Sequence, residues 1–238
     1  MRWIFLLLNA AKLGPALWSS LSIVASIWVY AQLFGWPFAV GFVGLIFVHE
    51  LGHYLAAKDR GLDVGLPVFI PFVGAWISLR EQPMNAETEA YIAYAGPFVG
   101  TVGAFLCLWL GREHDSTLLL ALAKSGFILN LFNLIPVSPL DGGRITAVLT
   151  PRVWLLGVPC LLSVWVFWPS PMLVLVALLA APQIIAAWRY DPAAPENRVY
   201  YGVSWRTRIL WTLLYIGLVV ILALLIAEVN AVMRARLS

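Results

Sequence analysis

Long apolar runs separated by short polar breaks recur along the whole chain. A helix that crosses a hydrocarbon core about 30 Å thick needs about 20 mostly apolar residues. Stretches of that kind fall at Ala16–Phe34, Pro37–Ala57, Ala90–Leu110, Ser116–Ile135, Val153–Trp168, Pro171–Trp188 and Arg208–Glu228. The fifth and sixth are short and separated only by Pro169-Ser170-Pro171, which makes them a tight hairpin or leaves one of them partly re-entrant. The pattern predicts an all-α polytopic membrane protein with six to seven transmembrane helices.

Two segments break the pattern. Leu62–Leu79 is rich in Val, Ile and Phe but carries Gly65, Pro67, Pro71 and Gly74. Proline and glycine at that density oppose a spanning helix, so short extended or β pieces at the membrane surface are expected. Asp191–Arg208 is polar and proline-bearing and reads as an ordinary cytoplasmic loop. Residues 1–15 show no clear cleavage site and read as a cytoplasmic or interfacial lead-in.

Composition agrees with this picture. Of 238 residues, 62% are hydrophobic and only 11% charged, too few charges to cover a soluble domain of this length, so the lipid bilayer is the expected surrounding. The net charge of +3 calls for no nucleic-acid partner. Its distribution carries the information. With the N-terminus in the cytoplasm, alternating spans place Arg2, Lys12, Lys58, Arg60, Arg80, Arg144, Arg152, Arg189, Arg198, Arg206 and Arg208 inside, as the positive-inside rule expects. Arg112, Arg234 and Arg236 fall outside, and Lys124 lies within a span. Cys107 and Cys160 both sit in apolar stretches and form no disulfide framework.

The candidate chemistry lies in the second span, at His49-Glu50-Leu51-Gly52-His53. Residues four apart on a helix are about 6 Å apart along the axis and share a face, so both imidazoles can reach one zinc ion. Glu50 then sits beside the position of a metal-associated water, the H-E-x-x-H arrangement. Burying two histidines and a glutamate in lipid is costly without pairing or function. A catalytic zinc usually takes three protein ligands. His114 and Cys107 fall toward the opposite membrane side, whereas Asp141, in Pro136-Val-Ser-Pro139-Leu-Asp141-Gly-Gly-Arg144, falls on the same side as the histidines. The prolines break the helix there, and Gly142 and Gly143 permit close backbone approach. The expected metal ligands are His49, His53 and Asp141, with Glu50 as general base.

The paired motifs resemble those of the site-2 protease family of intramembrane zinc metalloproteases. His49–His53 is similar to the family's zinc-binding helix, and Pro139-Leu-Asp141-Gly142 to its second motif, with Ser138 where asparagine is common. Ala95-Gly96-Pro97 resembles the glycine-bearing third helix, and Asn133 stands where members carry a polar residue near the active site. The resemblance spans residues 37–148 and reveals neither the PDZ insertion nor the CBS domain of some members. It implies a three-helix catalytic core and one zinc near the cytoplasmic face; the extended Leu62–Leu79 segment, read from its prolines and glycines, is expected near the active site. It also implies hydrolysis within transmembrane segments of membrane-bound, often regulatory, proteins already trimmed by an upstream site-1-type protease. On that reading residues 1–15 are the lead-in, 16–148 the metalloprotease core with its first helix, and 149–238 the C-terminal helices and loop. The expected location is a bacterial cytoplasmic membrane, with N-terminus and active site toward the cytoplasm.

Asn133 would bind substrate or oxyanion, or else tie helix ends together. The Leu62–Leu79 segment would offer an edge strand to an unwound substrate, or else plug the site. Two other functions fit the same residues: a metal transporter, and a catalytically inactive membrane adaptor. Polar groups confined to one side of the bilayer disfavour the first, and retention of Glu50 with all three ligands disfavours the second.

Overall fold

The computed structural model describes residues 2–71, 74–76 and 83–236. In chain order the elements are α1 (Arg2–Phe34), α2 (Trp36–Asp59), β1 (Val68–Ile70), β2 (Gly74–Trp76), α3 (Ala86–Glu113), α4 (Thr117–Asn133) and α5 (Asp141–Thr146). A 3-10 turn at Pro151–Leu156 leads into α6 (Gly157–Phe167), followed by α7 (Pro171–Trp188), α8 (Pro195–Tyr200) and α9 (Trp205–Ala235). Among the described residues five helices are long and apolar enough to cross a membrane, in α1, α2, α3, α7 and α9, and two shorter apolar stretches are Thr117–Asn133 and Pro151–Phe167. This is the expected all-α polytopic membrane architecture with a small extended piece.

The helix starts follow from local chemistry. Asn85, Ser116, Ser170 and Ser204 each accept a hydrogen bond from a backbone N–H two or three residues on, satisfying donors that a helix leaves unpaired. α4 stops at Asn133, two residues short of the expected end, because Pro136 cannot continue the helix. The fifth expected span also differs. Pro151 opens a 3-10 turn, and α6 itself has 11 residues, about 16 Å and roughly half the hydrocarbon thickness.

α3 is the hub, packing on α2 and α4 along its length and on α5 and α9. Its buried side includes Ala86, Ala90, Ala93, Pro97, Gly100, Ala104, Leu108 and Gly111, a stripe of mostly small residues at helical spacing. Between helices in lipid there is little hydrophobic driving force, and small residues that allow close backbone approach take over the work of association. α9 packs on α4 and buries Trp211, Leu218, Leu222 and Val229, with Trp211 edge-on to Tyr94 of α3.

The extended segment forms a two-stranded antiparallel sheet with Val68 opposite Trp76. The other edge of β1 meets α1: Ser19 Oγ donates to the Pro67 carbonyl at 2.6 Å, and Phe69 N–H donates to Ser22 Oγ at 2.9 Å. Residues 72–73 and 77–79 of the expected extended segment, and Arg80 of the inner basic set, lie outside the described residues. The stretch Asp191–Arg208 is more than an ordinary loop. It contains α8, and Arg208 clamps it by donating to the Tyr201 and Leu149 carbonyls.

Candidate metal centre

His49 and His53 occupy successive turns of α2, both buried. Each ring is oriented from its Nδ1. His49 Nδ1 lies 2.8 Å from Asn130 Oδ1, and His53 Nδ1 lies 2.8 Å from the Ile92 carbonyl oxygen. Both partners can only accept, so each Nδ1 carries the hydrogen and each Nε2 turns a lone pair inward. The Asn130 assignment is consistent on its other side, where Nδ2 donates to the Gly126 carbonyl at 2.8 Å.

Asp141 arrives from the far end of the chain segment that follows α4. The backbone turns through 134–140, including a cis Ser138-Pro139 bond, and Asp141 opens α5. A Cβ on Gly142 would strike the Leu134 and Ile135 carbonyls and one on Gly143 the Val137–Ser138 backbone, so the pair is required for this close approach. Trp154 Nε1 donates to the Gly143 carbonyl at 2.7 Å and holds the turn from the other side.

The three ligand atoms converge. Asp141 Oδ2 lies 3.2 Å from His49 Nε2 and 3.3 Å from His53 Nε2, and the two Nε2 atoms are 3.1 Å apart. Tetrahedral zinc with bonds of about 2.0–2.1 Å sets ligand atoms about 3.3–3.4 Å apart. Two inward lone pairs and a carboxylate oxygen at these separations repel one another unless a cation or a proton lies between them. The donor set and its spacing therefore fit one zinc ion, and this is the one His/Cys/Asp/Glu group suited to a metal among the described residues.

Glu50 is 8% exposed and, among the described residues, its carboxylate forms no hydrogen bond or ion pair. α3 closes the site from one side. A Cβ on Gly96 would collide with the His53 imidazole, so glycine is what lets α3 lie against the ligand. His114 sits exposed at the other end of α3.

Among the described residues Asn133 forms no hydrogen bond to the cluster. Its Nδ2 donates to the Leu129 carbonyl at 3.2 Å, a bond within α4. The asparagine that meets a histidine is Asn130, one turn earlier and 1% exposed. Its signal was its place on the same face of α4 as Ala123 and Phe127, where an amide in a membrane helix needs an internal partner. A second group missed by the sequence reading backs Asp141: Arg144 Nη1 lies 3.8 Å from Asp141 Oδ1, Arg144 Nε donates to Glu89 Oε1 at 3.2 Å, and Tyr200 donates to Glu89 Oε2 at 2.6 Å. Burial and the adjacent Glu89 carboxylate push the Tyr200 phenol well above its ordinary pKa, so it remains a donor. Lys124, half-buried on α4, has no hydrogen-bond or ion-pair partner among the described residues.

Fold and site together define a polytopic membrane protein with a buried three-ligand His/His/Asp centre. Comparison with known proteins agrees in kind. Residues 37–115 match the model of peptidase family M50, a region that includes both histidines and ends before Asp141. A zinc metalloprotease of Methanocaldococcus jannaschii is 33% identical over 113 residues, covering 45% of this chain and 32% of that protein. A chloroplast protein of Arabidopsis thaliana, named as a probable zinc metalloprotease, is 29% identical over 155 residues, covering 45% and 28%. The chain thus spans about a third of the length of the curated relatives it matches. The solved site-2 protease from Methanocaldococcus jannaschii superposes with a TM-score of 0.47 at 22% identity, covering 70% of this chain and 85% of that one. Over residues 37–115 the chain is thus similar to peptidase family M50.

Proposed function

We propose that this protein is an intramembrane zinc metalloprotease that hydrolyses peptide bonds in or near transmembrane segments of membrane-bound regulatory proteins. The observation that carries the reading is the convergence of His49 Nε2, His53 Nε2 and Asp141 Oδ2 beside a buried Glu50 that is unpaired among the described residues, inside apolar helices. Zinc held by these three atoms would supply Lewis acidity, polarising a carbonyl and making water a nucleophile near neutral pH. Asn130 and the Ile92 carbonyl hold the two rings so that neither Nε2 carries a proton. Glu50 accepts a proton from the attacking water as the new C–O bond forms. It then delivers that proton to the departing amide nitrogen as the C–N bond breaks, leaving a carboxylic acid and an amine.

A substrate helix has to unwind before its carbonyls are accessible. β1 has one edge on β2 and the other on the α1 serines, so an unwound peptide that joins this sheet would pair with β2. Asn133, bonded within α4, ties the end of that helix and is assigned no proton transfer. The basic residues favour an orientation with the N-terminus and the centre toward the cytoplasm. The resemblance to the site-2 protease family is what suggests a substrate pre-trimmed by a site-1-type protease, and a bacterial cytoplasmic membrane is part of the same proposal. In domain terms, residues 16–148 form the proteolytic core, with 1–15 leading in and 149–238 supporting it.

The test is cleavage of a transmembrane test substrate by purified protein and by Glu50→Gln, with zinc content measured on both. Loss of cleavage with zinc retained supports the protease. Equal cleavage by the variant would remove Glu50 from the mechanism, and metal movement across a bilayer without cleavage would favour the transporter.

A further inference from the structure

Asp141 has two oxygens and only one of them, Oδ2, faces the histidines. Left alone, a carboxylate on the first residue of a six-residue helix has little to stop it rotating. The other oxygen, Oδ1, faces the Arg144 guanidinium at 3.8 Å. Arg144 is on the same short helix and is itself aligned from outside it, by Glu89 in the first turn of α3. Glu89 stands three residues before Ile92, whose carbonyl orients His53, so one turn of α3 addresses two of the three ligands. The second Glu89 oxygen is taken by Tyr200 of α8, and the side chains of Arg144 and Glu89 are only 22% and 23% exposed. α8 belongs to the segment that Arg208 fastens to the Leu149 and Tyr201 carbonyls. A continuous polar path thus runs from the C-terminal region to the carboxylate of the centre: Tyr200, Glu89, Arg144, Asp141.

We propose that Arg144, aligned by Glu89 and through it by Tyr200, is a positioning residue for Asp141, so that docking of the segment around α8 sets how tightly the centre holds its metal. This rests on the reading of His49, His53 and Asp141 as zinc ligands. The guanidinium draws Oδ1 toward it as an ion pair at 3.8 Å and leaves Oδ2 as the oxygen aimed at the metal. Tyr200 limits the rotation of Glu89, and Glu89 that of Arg144. α8 then acts on the centre without touching the three ligands.

The experiment is zinc competition with a chromogenic chelator on the full chain in detergent, paired with thermal unfolding of the zinc-stripped protein. The variants are Arg144→Gln, Glu89→Gln, Tyr200→Phe and the Arg144→Gln/Tyr200→Phe pair. Zinc affinity is expected to fall about tenfold or more in Arg144→Gln and Glu89→Gln, in the range known for groups that orient metal ligands. Tyr200→Phe, which removes one hydroxyl, should give a smaller loss that vanishes in the Arg144→Gln background, with zinc-free unfolding unchanged. If Arg144→Gln does not fold, Glu89→Gln and its pair with Tyr200→Phe read the same link. Wild-type-like affinity in Glu89→Gln and Tyr200→Phe, with one zinc per chain in wild type and none in Asp141→Ala, would overturn this inference and leave the metal centre standing. A Tyr200→Phe loss that adds in full to Arg144→Gln and follows a drop in zinc-free stability would reduce the network to a structural staple. No zinc in wild type would overturn the centre and this inference together.

Discussion

α2 and α3 each bury 44% of their most apolar window inside the protein, whereas α7 buries 22% and α9 17%, although α7 and α9 are the more apolar helices. In a soluble protein the most apolar helix would be the most buried. In lipid the order reverses, because the hydrocarbon accepts apolar side chains at no cost and the protein interior is where polar groups find partners. Glycine, histidine, glutamate and asparagine therefore concentrate on α2, α3 and α4, and leucine, isoleucine and tryptophan on α7 and α9 mostly face outward. The inner helices carry the chemistry, and the outer ones cover it and meet the lipid.

Substitutions in the two regions should differ in kind and in size. Glu50→Gln on α2 should lower the cleavage rate about 10²–10⁴-fold, the usual contribution of a positioned general base, with zinc content unchanged in the same preparation. Asn130→Ala leaves the buried His49 Nδ1–H without its acceptor, and a chelator titration should show zinc held about 10–100-fold more weakly. Gly96→Ala forces a Cβ into the His53 ring, and thermal or denaturant unfolding should report a cost of about 1–3 kcal/mol together with weakened zinc binding. The matching change on the outer helix, Gly217→Ala on α9, meets nothing within 4 Å and should be neutral or stabilising by up to about 1 kcal/mol. A Gly217→Ala cost as large as that of Gly96→Ala would break the contrast between inner and outer helices.

Legibility in the sequence divides along the same line. Apolar runs are long-range averages, so the spans and the extended Leu62–Leu79 interruption could be read from composition and from proline and glycine positions alone. The His49–His53 spacing is local, and helical geometry converts it directly into a shared face. Asp141 could be matched by membrane side. Which asparagine reaches the histidines could not, because Asn130 and Asn133 differ by three residues and only the rotation of α4 against α2 separates an amide on His49 from one bonded within its own helix. The docking of α8 was equally hidden. Glu89 and Tyr200 are 111 residues apart, and nothing in either neighbourhood signals the other. The α1 serines on the edge of β1 belong to the same class of contact.

The central claim is that His49, His53 and Asp141 form one zinc site, and the most direct test is zinc stoichiometry of the detergent-purified protein beside Asp141→Ala. The account predicts one zinc per chain in the first and loss or marked weakening in the second, since removing the carboxylate leaves two protein ligands of three. Wild type without zinc, or zinc held equally well without Asp141, would contradict it.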